Sequence, residues 1–238
     1  MNERRITLSN YKPLKQILQL SETHLKQVMT SYLKKYYPKV IENEHYVLAE
    51  GDIPIGLVAH LDTVLPVPPE NIFFDKEEGV MWGPDGLGAD DRAGVFAIVK
   101  IIQSGLRPHI ILTTEEEFGG IGASMLAMDY PEPFTQINYL IELDRQGYDD
   151  CVFYNCNNQK FQDYIQSFGF TKQIGSFSDI SIICPAWNVA GVNLSIGYVY
   201  EHSCIEHLFL RDMEDTIERV KNILTQTKIP VFKYREEK

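Results

Sequence analysis

The chain has 238 residues, of which 44% are hydrophobic and 23% are charged, and its formal net charge is −11. This composition is ordinary for a globular protein that buries a hydrophobic core. Because a surface with this excess of negative charge would repel phosphates, the sequence predicts neither a nucleic acid nor an anionic membrane as a partner. The sequence shows no signal peptide and no long apolar span. The four cysteines lack C-x-x-C spacing, which predicts reduced thiols and a cytoplasmic location.

Residues 1–40 are predicted to form a helical segment that packs on the rest of the chain. Apolar side chains recur at helical spacing from residue 13 to residue 37, and Ser21 or Thr23 could start a second helix within this segment. A short strand is predicted at residues 46–49. Residues 66–86 are rich in proline, glycine and acidic side chains, which predicts a long loop with a small hairpin.

The remainder of the chain alternates between short apolar runs and helical patterns. Buried strands are predicted at residues 55–60, 109–114, 137–143 and 192–196, with an edge strand at 151–155 and a short apolar segment at 181–184. Helices are predicted at residues 92–104, 119–128, 161–168 and 212–224. This alternation predicts an α/β fold with three layers, α/β/α, around a mixed, mostly parallel sheet, in one domain over residues 1–238.

Ionisable side chains lie just beyond the predicted strand ends, where ligands gather in α/β sheets. His60 and Asp62 follow the first buried strand, residues 115–117 form a triple glutamate after the second, Asp144 follows the third, and His202 lies in the loop after the fourth. The turn at residues 88–94, Gly-Ala-Asp-Asp-Arg-Ala-Gly, adds Asp90 and Asp91 between two glycines. These residues are therefore candidates for one functional site.

Each motif also has a plainer interpretation. His60 could bind a metal while Asp62 fixes its tautomer, or it could be a hydrogen-bonded structural residue. Asp90 could bridge two metal ions, or Asp90 or Asp91 could simply cap the following helix. Three adjacent glutamates are costly without cations, although a solvated acidic loop is an alternative. Together the set offers nitrogen and oxygen ligands that suit zinc, cobalt or manganese.

The order of these motifs over residues 55–225 resembles that of the co-catalytic zinc exopeptidases. His60-x-Asp62, the turn at 88–94, the Thr-Thr-Glu-Glu-Glu-x-Gly sequence at 113–119, Asp144 and a late histidine look like the peptidase T and glutamate carboxypeptidase group. The ending His202-Ser-x-x-Glu206 looks more like the related single-domain aminopeptidases. The resemblance implies a zinc exopeptidase-like fold and a metal-dependent hydrolase.

The resemblance also implies a role for each residue. Two divalent ions, zinc above all, would be bridged by Asp90. His60 and Asp144 would complete the ligand set of one ion, and Glu117 and His202 would complete that of the other. Glu116 would be the general base for a metal-bridging water, and Asp62 would orient His60. A cis peptide is implied between Asp90 and Asp91, and Arg92 stands where the family has lysine.

The substrate is predicted from what the chain lacks. The stretch between Asp144 and His202 is too short for the lid and dimerisation domain that many relatives insert there. The sequence therefore favours an aminopeptidase or a di- or tripeptidase, with a small peptide or an acyl-amino acid as substrate. An amidohydrolase or deacylase of N-acylated amino acids is the alternative, followed by a non-catalytic descendant of the fold. The oligomeric state is undetermined, and a homo-oligomer is compatible with the sequence.

Several roles stay open at this point. Asp179 or Glu115 could bind the substrate amine, and Arg145 could bind a carboxylate or form a salt bridge at a strand end. His207 competes with His202 as a ligand, but His202 fits the motif better.

Overall fold

Two β-sheets and the helices around them build the structure, a computed structural model in which residues 11–235 are described. The strands are β1 (Val40–Glu42), β2 (Tyr46–Ala49), β3 (Ile53–His60), β4 (Phe73–Asp75), β5 (Val80–Trp82), β6 (Pro108–Thr113), β7 (Tyr139–Arg145), β8 (Asp150–Val152), β9 (Thr171–Gln173), β10 (Gly191–Ser195), β11 (Tyr198–Val199) and β12 (His207–Phe209). The large sheet has the order β1-β2-β6-β3-β7-β10-β8-β9, and the small sheet has the order β11-β12-β5-β4.

The helices cover both faces of the large sheet. They are α1 (Lys12–Leu18), α2 (Glu22–Leu33), α3 (Ala89–Gln103), α4 (Ile121–Asp129), α5 (Gln159–Gln166), α6 (Ile180–Trp187) and α7 (Leu210–Leu224). Helix α3 packs on β3 and β7 with α1 and α7 beside it, while α4 and α6 pack together on the opposite face. The predicted three-layer α/β/α architecture with a mixed sheet is confirmed.

The centre of the sheet is parallel and almost completely buried. Strands β6, β3, β7 and β10 are parallel neighbours, whereas β1, β2 and β8 pair antiparallel toward the edges. Long apolar runs form these central strands because helices cover them on both faces. In this register His60 lies beside Thr113, and Val58 lies beside Glu142. The carboxyl ends of β3, β6 and β7 therefore meet at one edge of the sheet.

Most predicted elements are found. The second helix considered at Ser21 is among them, since the Ser21 side chain caps α2 by accepting a hydrogen bond from the backbone N–H of His24. Two elements differ from the prediction. The predicted edge strand, β8, is not at the edge, since β9 pairs outside it. The apolar segment 181–184 is part of helix α6. The part of segment 1–40 before residue 11 lies outside the described residues.

Arg92 connects the N-terminal segment to the centre of the fold. Its side chain is only 2% exposed, and its Nη1 donates to the carbonyl oxygens of Ile17 at 3.0 Å and Leu20 at 2.9 Å. Ile17 lies in the last turn of helix α1, and Leu20 lies two residues after the helix ends. One guanidinium nitrogen donates to both carbonyls, which explains why an arginine suits this position. Burial lowers the pKa of Arg92 to about 10.

The small sheet positions the loop that carries His202. Strand β12 pairs antiparallel with β5, and β11 pairs with β12, so residues 200–206 connect two strands of the same sheet. Strands β4 and β5 are the small hairpin predicted within residues 66–86. Over residues 11–235, none of the helices has the length and apolar character needed to cross a membrane.

Candidate metal centre

His60 stands at the end of β3 and faces two carboxylates. The imidazole is 1% exposed, and its Nε2 lies 3.0 Å from Asp90 Oδ1 and 3.4 Å from Asp144 Oδ1. On its other side, Nδ1 lies 3.2 Å from Asp62 Oδ1. A carboxylate on one ring nitrogen fixes which nitrogen is available to a ligand on the other. The geometry therefore leaves Nε2 of His60 directed at Asp90 and Asp144.

His202 faces the other oxygen of the same aspartate. Its Nε2 lies 3.1 Å from Asp90 Oδ2 and 2.9 Å from Glu117 Oε2. The imidazole is half exposed, whereas the Glu117 carboxylate is 6% exposed. This second group is therefore open to solvent on the His202 side.

The two groups share Asp90 and fit a pair of divalent cations. In each group, His60–Asp90–Asp144 and Asp90–Glu117–His202, the potential ligand atoms all lie within 4.8 Å of one another. Carboxylates placed this close to one another repel unless a positive charge lies between them. The donor set is one imidazole nitrogen and two carboxylate oxygens per group, which suits zinc or another borderline divalent ion. The residues present therefore fit a dinuclear site with Asp90 as the shared ligand.

Asp90 and Asp91, in the first turn of α3, have different roles. The peptide between Asp90 and Asp91 is cis, as the resemblance implied, and neither residue has helical backbone angles. Asp91 Oδ1 accepts a hydrogen bond from the backbone N–H of Gly94 at 2.9 Å, and Oδ2 accepts one from the backbone N–H of His60 at 3.2 Å. A Cβ at position 94 would come within 2.3 Å of the Asp91 carboxylate, so glycine is required there. Asp91 thus caps the helix, and Asp90 is left for the site.

Asp144 is held by side chains from three other segments. Tyr198 donates its hydroxyl to Oδ1 at 3.1 Å, and Ser178 donates to Oδ2 at 2.9 Å. The amide of Asn193 donates to the Asp144 backbone carbonyl at 3.0 Å. None of these three partners carries a motif of its own, and the sequence analysis did not identify them.

The three adjacent glutamates point in different directions. The Asp62 carboxylate accepts hydrogen bonds from the backbone N–H groups of Glu116 at 3.1 Å and Glu117 at 3.0 Å, and these bonds fix the turn after β6. Glu115 pairs with His45, with Oε2 3.1 Å from Nδ1. Within residues 11–235, no hydrogen bond is made to the Glu116 carboxylate, while Glu117 faces His202. The turn therefore offers one carboxylate to a cation and leaves its neighbour uncommitted.

The pKa shifts at the site follow from burial and from the charges of neighbouring side chains. Burial raises the pKa of Glu116 to about 8, although His60 lowers it and Asp144 raises it further. Burial and the charge of Asp90 raise the pKa of Glu117 to about 7. The hydrogen bond to Asp90 raises the pKa of His202 to about 9. Without cations the folded protein therefore retains protons at this site that the unfolded chain would release.

We expect the metal-free protein to become less stable as pH rises from 5 to 8. The glutamate pKa values rise from 4.5, and that of His202 rises from 6.5, so the folded state binds more protons than the unfolded state across this range. Zn²⁺ would displace these protons, so its stabilising effect should grow over the same interval. Melting temperatures with chelator and with Zn²⁺ at pH 5, 6, 7 and 8 test this. A metal-free melting temperature that climbs toward pH 8 would contradict it.

The remaining candidates lie outside the two groups. Asp179 is fully buried and accepts a hydrogen bond from the Thr113 hydroxyl. Among the described residues, Arg145 forms no ion pair, so the strand-end salt bridge considered for it is not found there, and its buried Nε lacks a hydrogen-bond partner. His207 packs between Tyr200 and Phe209, with ring centroids 5.6 and 5.1 Å away. The structure thus brings His202 to the carboxylates and places His207 elsewhere.

Comparison with known proteins finds similarity in structure and not in sequence. No protein-family model matches the chain. No curated protein sequence matches it either.

The solved structures similar to this chain include the aminopeptidase PepT from Bacillus cereus, with a TM-score of 0.71 and 15% identity over 94% of this chain and 98% of that one. A tripeptidase from Staphylococcus aureus has a TM-score of 0.73 and 14% identity, over 95% and 100% of the two chains. The TET1 peptidase from Pyrococcus horikoshii, which can assemble into a tetrahedron or a large octahedral shell, has a TM-score of 0.62 and 17% identity, over 90% and 98%. The fold implied by the motifs is therefore confirmed, and this chain has the α/β/α fold shared by these aminopeptidase and tripeptidase structures.

Proposed function

We propose that this chain is a dimetal exopeptidase that cleaves terminal peptide bonds, acting as an aminopeptidase or as a di- or tripeptidase. The observation that supports this most strongly is the position of Asp90, which directs one carboxylate oxygen into each of two His/carboxylate groups. A carboxylate shared in this way is what a pair of catalytic metal ions requires. The uncommitted Glu116 carboxylate lies in the same charged environment.

The proposed roles follow from these positions. His60, Asp90 and Asp144 would hold one divalent ion, and Asp90, Glu117 and His202 would hold the other, zinc being the first candidate. When bound, such ions polarise a peptide carbonyl and make water a stronger nucleophile. Glu116 would accept a proton from the attacking water and pass it to the leaving amine. Asp62 would keep His60 oriented while it also holds the backbone of the Glu116–Glu117 turn.

A substrate with a free amine is the first choice. Two divalent ions would offset the three carboxylates of the two groups, so an attraction for a terminal ammonium group would have to come from acids around them. Of the two acids considered for direct contact with the amine, Glu115 is paired with His45 and Asp179 is buried. Neither acid is therefore a free partner for the amine. Solved structures with this fold include an aminopeptidase and a tripeptidase, which agrees with this choice.

The proposal extends to the whole chain. Residues 1–238 would act as one catalytic domain without a lid, and the part of segment 1–40 that the structure describes would be held to it through Arg92. A cytoplasmic location is supported by four cysteines that form no disulfide: Cys151, Cys156, Cys184 and Cys204. The TET1 peptidase can assemble into a tetrahedron or a large octahedral shell, which supports the proposal that this chain forms a homo-oligomer.

A substrate panel tests the proposed specificity. The protein, loaded with Zn²⁺, Co²⁺ or Mn²⁺, should cleave di- and tripeptides with a free amine and should leave their N-acetylated counterparts intact. The chelator-treated protein serves as the control and should be inactive. Activity confined to acylated compounds would replace the proposal with an amidohydrolase, and inactivity on both sets with every ion would contradict the enzymatic proposal itself.

A further inference from the structure

Glu206 makes an unusual set of contacts beside the metal centre. Its Oε2 accepts hydrogen bonds from the backbone N–H groups of Leu87 at 3.2 Å and Gly88 at 2.6 Å. Its Oε1 accepts hydrogen bonds from the backbone N–H groups of Ala89 at 2.9 Å and Asp90 at 3.1 Å. The residue is only 3% exposed. Four donors thus converge on one buried carboxylate, two on each oxygen.

These four N–H groups belong to the turn that delivers Asp90. They precede the regular part of α3, because Asp90 and Asp91 have non-helical backbone angles. Buried backbone N–H groups outside a helix or sheet need an acceptor from elsewhere. Here the acceptor comes from a segment more than 100 residues further along the chain. The backbone at Asp90 therefore depends on Glu206 for its position.

The same contact also fixes His202. Glu206 lies four residues after His202 in the loop between β11 and β12, and His202 has a positive φ of 60°. Because the Glu206 side chain is attached to the Asp90 turn, it holds the loop of His202 against that turn. Asp90 and His202 are two of the three residues in the second group, and their 3.1 Å approach joins these two segments. The other group shares Asp90, but its two remaining residues, His60 and Asp144, are placed by strands β3 and β7.

We propose that Glu206 is a positioning residue that sets the distance between Asp90 and His202 and thereby the affinity for the second metal ion. This inference rests on the dinuclear site of the proposed function. Residues that orient metal ligands from outside typically change metal affinity by about 10- to 100-fold when replaced. In Glu206→Gln, an amide NH₂ would face backbone donors that need an acceptor. We expect a loss of this size at the Asp90–Glu117–His202 group, where Glu206 holds two of the three ligands, and a smaller loss at the His60–Asp90–Asp144 group, where it holds only Asp90.

Titration with Co²⁺, followed by its visible absorption, tests the proposal. The wild type should bind two ions, and Glu206→Gln should bind one tightly and one weakly, with a titration curve like that of His202→Ala and unlike that of His60→Ala. The matched control is Thr216→Val, which removes another buried bond between segments, from the Thr216 hydroxyl to the Ser195 carbonyl at 2.8 Å. That variant should lose stability and keep wild-type binding of both ions.

The outcomes separate the two proposals. Wild-type protein that binds no Co²⁺ would overturn the dinuclear site and this inference with it. Wild-type protein that binds two ions, with the same two affinities in Glu206→Gln, would overturn the role of Glu206 alone. Glu206→Asp, which keeps the charge and shortens the reach, is the second variant if the glutamine variant does not fold. Failure of both to fold while Thr216→Val folds would make Glu206 a residue of the fold only and would also overturn the proposal.

Discussion

Replacing Glu116 with glutamine should lower kcat by about 10²- to 10⁴-fold and leave the bound metal in place. General-base catalysis by a positioned carboxylate contributes about this much, and the amide cannot accept the proton. Glutamine keeps the shape of the side chain, and Glu116 belongs to neither ligand group, so metal content should stay at the wild-type value. Initial rates on a free-amine dipeptide, with metal analysis of the same preparation, measure both quantities.

Glu115→Gln is the matched control for this variant. It changes the adjacent glutamate, whose carboxylate pairs with His45 and not with either ligand group. Its kcat should stay within about twofold of the wild type. Near-normal turnover in Glu116→Gln would contradict the assignment of the base. A comparable loss of kcat in Glu115→Gln would show that kcat depends on the total negative charge of the turn and not on the Glu116 carboxylate alone.

The buried strands could be predicted because their sequences carry two signals at once. Residues 55–60 and 137–143 are apolar runs of strand length that end at ionisable side chains, and such runs form the central strands β3 and β7. Strand β9 has no such signal, since Thr171–Gln173 is polar and exposed throughout. Strands β11 and β12 have two and three residues, and the pairing of β11 with β12 and of β12 with β5 is decided by tertiary packing. Such short elements therefore escape a pattern that depends on burial.

In the candidate site, likewise, local sequence identifies some residues, and others are identified only by their contacts in the folded chain. The candidate ligands were identifiable because each follows a strand or lies in a glycine-bounded turn, and their order along the chain is distinctive. The residues that hold them were not, since Ser178, Asn193 and Tyr198 reach Asp144 from separate segments. Glu206 was visible only as part of the His-Ser-x-x-Glu motif, and its contact with the Asp90 turn depends on the folded chain. Sequence pattern thus indicates the donors, while folding determines what supports them.

Asp90→Asn should have the largest effect on metal binding, because Asp90 alone belongs to both groups. An amide offers one oxygen and an NH₂ in place of two anionic oxygens, so it cannot serve both ions. We expect this variant to lose both ions and essentially all activity, whereas His60→Ala and His202→Ala should each lose mainly the ion of their own group. Metal content after gel filtration, read with activity at saturating Zn²⁺, distinguishes the three variants.

The control for this series is His207→Ala, which removes a histidine near His202 that belongs to neither group. Its Nδ1 contacts only the backbone carbonyl of Ile205 among the polar groups described, at 2.9 Å, so the variant should keep both ions. If Asp90→Asn retains two ions with wild-type affinity, Asp90 does not bridge them, and the dinuclear arrangement is wrong. If Asp90→Asn loses one ion only, the two groups are independent sites, and the shared carboxylate can no longer explain the proposed catalysis.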